Sequence, residues 1–382
     1  MTGTPLLRVG STGPAVIAVR ERLVASGDLP FGSDRSDSFD EEVERAVRSF
    51  QQRRGLLVDG IVGPQTYRML DGARWLLGDR ILMHTPGHLT MGDDVAALQE
   101  RLLDLGFPCG RVDGVFGTLT EGAVRELQRG VGLRPDGTVG PQTLRALGQL
   151  GRSVRGGAPQ TLREADAVRA AGPSLHGRVV VIDPGGCSAA PDDSSTEPTE
   201  GEITLDLARR IEGRLAAGGV QVVLTRGVHG DPDARERADL ANALGADLML
   251  SLHCESLPGT PQASGVATFF YGAPGGGSAW SPMGERLASL VQREICARTD
   301  LVDCRTHPRT WDLLRHTTMP AVLAEVGHLS SPGDARRLAD PAFRDTLAEA
   351  IVVAIQRMYL QDDDATTGTL RVDDVLARAR RG

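Results

Sequence analysis

Lysine is absent from this 382-residue chain: all 42 of its basic residues are arginine, a bias that reports a GC-rich genome rather than a function. Asp and Glu outnumber them at 50, giving a formal net charge of −8. The chain therefore has no basic footprint for nucleic acid. Cysteine is scarce and odd in number, five residues at no paired spacing, which argues against an extracellular disulfide framework. No run approaches the ~18 apolar residues of a transmembrane segment. Residues Met1 to Arg8 lack the basic segment, apolar stretch and small-residue cleavage site of a secretory signal. Together these absences set a cytoplasmic location as the expectation.

What the chain does contain is an internal repeat. Asp59-Gly60-Ile61-Val62-Gly63-Pro64-Gln65-Thr66 returns as Asp136-Gly137-Thr138-Val139-Gly140-Pro141-Gln142-Thr143, Ala46–Gln51 returns as Ala123–Gln128, and Glu21-Arg22-Leu23 returns as Glu100-Arg101-Leu102. Such self-similarity signals two copies of one supersecondary unit. In each copy, Val16, Val19 and Leu23, or Val95, Leu98 and Leu102, recur at three- and four-residue steps and so line one helix face. The Asp-Gly and Val-Gly pairs punctuate three helices per copy, with Gly available for positive backbone angles. The two copies, at 5–74 and 85–150, resemble the type 1 peptidoglycan-binding domain. That resemblance implies small three-helix modules and, as ligands, peptidoglycan fragments or a lipid-linked precursor; a docking module that keeps only the fold is the alternative.

A Gly/Arg/Ala-rich connector, 151–175, leads to a segment of a different kind. Val179-Val180-Val181-Ile182-Asp183-Pro184-Gly185-Gly186-Cys187 is an apolar strand running into a turn. Thr199-Glu200-Gly201-Glu202-Ile203-Thr204-Leu205 opens an amphipathic helix, Ala246–His253 is a buried strand ending in histidine, and Met319–Ser330 is a strand carrying Glu325. These four motifs, in order and spacing, resemble the zinc-dependent N-acetylmuramoyl-L-alanine amidases over 176–360. The resemblance implies an α/β domain, a twisted, mostly parallel sheet flanked by helices, preceded by the two helical modules.

Amide hydrolysis in such a family needs three protein ligands on zinc plus a water of lowered pKa, and a carboxylate to move the water's proton. By resemblance Glu202 and His253 are metal ligands and Glu325 is the catalytic carboxylate. Gly186 stands at the position of the missing ligand, a histidine in the family. Cys187 is the candidate substitute, since a thiolate binds zinc well; His316 and His328 lie close to Glu325 in sequence. No cofactor is expected with one ligand gone; zinc is expected if the site is completed otherwise, in which case the chain is a working amidase.

Two modules, a defective amidase domain and no export signal together resemble cytoplasmic regulators of peptidoglycan precursor synthesis. The implied partners are a Ser/Thr protein kinase and the enolpyruvyl transferase MurA. The acidic tail, 361–382, offers Thr367 and Thr369 as phosphorylation sites, where phosphate would add about −1.5 to −2 charge for a partner's arginines. A solvated tail without a role is the alternative.

Overall fold

The computed structural model describes residues 6–150, 164, 168, 172–186, 198–228, 230–254, 263–273 and 280–359. Cys187, Thr367 and Thr369 lie outside the described residues, as does most of the connector. Contacts divide the chain into two units: Met1–Arg163 with Tyr271–Trp280 and Pro308–Thr318, and Glu164–Phe270 with Ser281–His307 and Met319–Gly382.

In the first unit, helices α1 (Pro14–Ala25), α2 (Glu41–Arg54) and α3 (Pro64–Ala73) form one module, and α4 (Asp93–Asp104), α5 (Thr118–Gly130) and α6 (Pro141–Leu150) the other. Each has its own core, built on Val16, Val19 and Leu23 in one and Val95, Leu98 and Leu102 in the other. A short antiparallel bridge closes each module, Leu7 to Val62 and Leu82 to Val139. Leu82 precedes the expected boundary at 85, and Leu77 packs on the same core. The second module therefore begins by Leu77; its first strand-like residues carry no helical period to reveal them.

The Asp-Gly turns are held by buried glutamines. The Gln51 Nε2 amide donates to Asp59 Oδ1 (2.7 Å), Ile61 O (3.0 Å) and Thr66 Oγ1 (3.2 Å), while Oε1 accepts from the Gly60 N–H (2.9 Å). Gln128 repeats this with Asp136, Thr138, Thr143 and Gly137. Gln99 makes a third clasp with Asp113, Val115, Thr120 and Gly114. Gly60 and Gly137 take φ of 75° and 77°, the left-handed region anticipated for them.

Two segments expected in the α/β domain group instead with these modules. Tyr271 Oη donates to Val112 O (2.8 Å), the Thr310 N–H donates to Gly55 O (3.1 Å), and Arg111 donates to Thr317 O (2.9 Å). Such contacts join residues far apart in sequence, so local pattern does not announce them.

The second unit is a six-stranded sheet of order β2-β1-β3-β6-β4-β5, formed by β1 (Val179–Pro184), β2 (Gln221–Leu224), β3 (Leu248–His253), β4 (Val266–Tyr271), β5 (Asp303–Arg309) and β6 (Ala321–Glu325). Pairs β1–β2, β1–β3 and β3–β6 are parallel and β4 runs antiparallel to β6. The central strands are covered on both faces, hence their near-continuous apolar runs. Helices α7 (Glu200–Ala217), α8 (Ala234–Ala243), α9 (Pro282–Arg298), α11 (Pro332–Ala339) and α12 (Pro341–Met358) accompany the sheet; short α10 (Asp312–His316) belongs to the first unit. Ile203, Leu207 and Ile211 of α7 and Leu347, Ile351 and Ile355 of α12 enter one core with β1 and β3. Glu164, in the middle of the connector, accepts from Ser281 Oγ (2.8 Å) at the start of α9.

An ion network ties α7 to α12: Asp206 accepts from Arg210 (2.9 Å) and Arg344 (2.5 Å), and Asp345 pairs with Arg210 (3.1 Å) and Arg214 (2.7 Å). Burial alone would raise the Asp206 carboxyl, but the bonds from Arg210 and Arg344 outweigh it and hold the group below its ordinary value of 3.8. A depressed carboxyl stabilises the fold fully above its unfolded value and loses that contribution as pH falls through the folded one.

Two stability measurements follow from these contacts. Gln128→Leu leaves the buried Gly137 N–H without its partner, while the Thr138 carbonyl keeps the Thr143 hydroxyl, and should cost roughly 1–3 kcal/mol in urea denaturation; a loss as small as a surface change would contradict the clasp. Asp206→Asn should cost about 1 kcal/mol at neutral pH, and its difference from wild type should vanish below the ordinary carboxylate range in an acid titration of stability.

Candidate functional site

The carboxyl ends of β1 and β3 meet the first turn of α7, and β6 ends beside β3. This edge of a parallel α/β sheet is where such folds place ligands. His253 ends β3 and sits in register with Glu325 at the end of β6. Glu200, the first residue of α7, places Oε1 3.1 Å from His253 Nδ1 and accepts from the Cys254 N–H at 3.2 Å. On the other side of the ring, Nε2 lies 3.0 Å from Ser251 Oγ.

Hydrogen-bond direction assigns the roles in this chain. The Ser251 hydroxyl donates to Asp183 Oδ2 (2.5 Å), which also lies 3.2 Å from Arg237; Thr225 donates to the other Asp183 oxygen. Its proton committed, Ser251 accepts from Nε2–H. Burial would raise the Glu200 carboxyl, yet the hydrogen bond and charge of His253, the Cys254 N–H and the charge of Arg226 together hold it below its ordinary value. Both ring nitrogens of His253 are therefore engaged within the protein, Nδ1 by Glu200 and Nε2 by Ser251.

The expected ligand Glu202 is elsewhere. Its Oε2 accepts from the Thr199 N–H (2.9 Å) and its own N–H meets Thr199 Oγ1 (3.4 Å), a capping box at the helix start. Glu200 is the carboxylate that faces His253. Helical period carries the signal for this: Glu200 shares a face with Thr204, Leu207, Ala208 and Ile211, all buried, whereas Glu202 shares one with Asp206 and the exposed Arg209.

Gly186 has φ of 74°, and a Cβ there would lie 2.9 Å from the Gly201 backbone nitrogen. A Cβ on Gly185 would lie 2.3 Å from His253 Cε1 and 2.6 Å from Leu252 O. Buried Arg226 seals the same junction, donating to Pro184 O (2.7 Å), Gly185 O (2.8 Å) and Gly201 O (3.1 Å). The space into which a third ligand would project is filled by α7 and the His253 ring. Cys254 is buried, and burial followed by the Glu200 charge pushes its thiol far up. His316 falls in the first unit. His328 is buried, its N–H donating to Asp334 Oδ2 (3.2 Å) while its Nδ1 finds no partner among the described residues.

Among the described residues no three His, Cys, Asp or Glu side chains cluster so as to hold a metal ion. Among the described residues this edge offers the carboxylates Glu200 and Glu325 and the imidazole of His253, which do not cluster as the three protein ligands of a catalytic zinc would.

Comparison with known proteins decides the lineage. The chain is 45% identical over 384 residues to the N-acetylmuramoyl-L-alanine amidase CwlM of Mycobacterium tuberculosis, covering 97% of this chain and 94% of that protein. The chain belongs to the N-acetylmuramoyl-L-alanine amidase family. Residues 180–357 match that family, and 12–70 and 91–147 match the putative peptidoglycan binding domain, giving the CwlM-like order of two repeats and an amidase domain. The germination-specific N-acetylmuramoyl-L-alanine amidase of Bacillus subtilis is 28% identical over 209 residues, half (50%) of this chain and 83% of its own. A solved structure, the amidase AmiC2 of Nostoc punctiforme, is 28% identical, covers 47% of this chain and 94% of its own, and superposes with a TM-score of 0.41.

Because Gly186 is left-handed and touches the α7 backbone, Gly186→His should destabilise this amidase domain by roughly 1–3 kcal/mol and gain no zinc after loading and dialysis. A variant that keeps native stability and takes up one equivalent would show that the junction opens freely.

Proposed function

We propose that this amidase-family chain is a pseudo-amidase, acting in the cytoplasm as a phosphorylation-dependent regulator of peptidoglycan precursor synthesis through MurA. The observation that carries the first half is the closed pair of Glu200 and His253. The carboxylate binds the imidazole and the Cys254 N–H, the imidazole binds Ser251, and no side chain projects from Gly186. Without a metal-activated water, Glu325 has no proton to relay in an amide hydrolysis. The second half rests on the likeness to CwlM-type proteins, and the tail threonines Thr367 and Thr369 are its switch. Among the described residues no helix is long and apolar enough to cross a membrane.

Zinc content after loading and dialysis, with muropeptide hydrolysis on the same sample, tests the pseudo-amidase. Well under one equivalent and no released peptide are expected; tight zinc with hydrolysis would make the chain an amidase, with Cys187 the first residue to test as substitute ligand. For the regulatory half, kinase-treated protein should raise MurA turnover and the Thr367→Ala, Thr369→Ala double variant should not.

A further inference from the structure

The first unit encloses a half-open cavity of about 480 Å³, within the range of ~300–1,000 Å³ typical of small-molecule sites. Both modules and two later segments build it: α3 and the end of α2 from one module, the start of α4 and the Asp113 turn from the other, and the segments around Tyr271 and Thr310–Arg315. A single repeat has no such site.

Arg315 forms part of the lining and is only 8% exposed. Its guanidinium donates to Asp113 O (3.1 Å), Thr310 O (3.4 Å) and the Met69 thioether (3.0 Å), all neutral acceptors. A cation taken out of water calls for an opposite charge. The Asp113 carboxyl is a poor source of it, because burial pushes that group up against the bonds it accepts from Gln99 and the Val115 N–H. At the more exposed part of the lining, Arg54 pairs with Asp93 (2.7 Å) and Arg68 with Asp312 (2.5 Å). Arg53, the remaining arginine of the lining, pairs with Asp28 (2.5 Å), so among the described residues Arg315 is the lining arginine with no carboxylate in an ion pair. Met69, Met91 and Tyr271 supply apolar wall.

We propose that this cavity binds a small organic oxyanion, a phosphate or carboxylate on a sugar-sized body, with Arg315 and Arg68 on the anion and the methionines and Tyr271 against the body. Guanidinium groups suit both anions because their forked donors match two oxygens at once. Binding would draw Arg68 from Asp312 and so couple both modules to the 308–318 segment. The site is independent of the amidase edge, and its failure would leave the pseudo-amidase reading untouched.

Calorimetry on the full chain with glucose 1-phosphate, glucuronate and glucose tests the proposal. At least one anion should bind saturably and more weakly at high salt, and glucose should not bind; which anion binds identifies the headgroup. Arg315→Gln removes three structural hydrogen bonds, so the half-exposed Arg68 is the informative position. Arg68→Gln, with its fold checked by circular dichroism, should weaken the anion roughly tenfold. Asp312→Asn, which frees Arg68, should tighten it. Binding of neither anion, equal binding of glucose, unchanged affinity in Arg68→Gln, or no gain in Asp312→Asn would overturn the assignment.

Discussion

The fully buried carboxylate of Asp183 organises the amidase edge. A charge removed from water must be met by hydrogen bonds and counter-charge, and Asp183 takes them from Ser251 on β3, Thr225 after β2 and Arg237 on α8. Once Ser251 has given its proton there, its remaining role is to accept, which orients the His253 ring; the ring in turn draws Glu200 inward and sets the first turn of α7. Arg226 then staples the end of β1 to that turn through three carbonyls.

This packing constrains any metal chemistry at the edge. A side chain at Gly185 would meet His253, and one at Gly186 would meet the Gly201 nitrogen, so one substitution at either place does not supply a third donor. Freeing His253 also requires changing what Ser251 and Glu200 bind. The imidazole, the carboxylate and the two glycines form one packed unit, and they would have to change together.

Much of this was legible in the chain. The central strands stand out as Val179–Ile182 and Leu248–Leu252, apolar runs bounded by turn residues, and the repeat exposes both helical modules through its Asp-Gly turns. The glutamate facing His253 was also legible, at Glu200, but only by asking which face of the helix it shares; matching the motif by its alternation pointed to Glu202, which the helix uses for its own cap. The third glutamine clasp is hidden because the Asp113 turn lacks the Val-Gly-Pro-Gln phrase that marks the other two. The placement of 271–280 and 308–318 rests on bonds such as Arg315 to Asp113, 202 residues apart, and no local pattern encodes a partner at that distance.

The three clasps also differ in the chain they span. Eight residues separate Gln51 from Asp59 and Gln128 from Asp136, but 14 separate Gln99 from Asp113. Closing the longer loop costs only about 0.5 kcal/mol more by the logarithmic dependence on length, less than a single one of the bonds that hold it. Gln99 lies on the first helix of its module, whereas Gln51 and Gln128 lie on the second, so the longer clasp closes a different loop, and it is this loop whose Asp113 end reaches Arg315 beside the cavity.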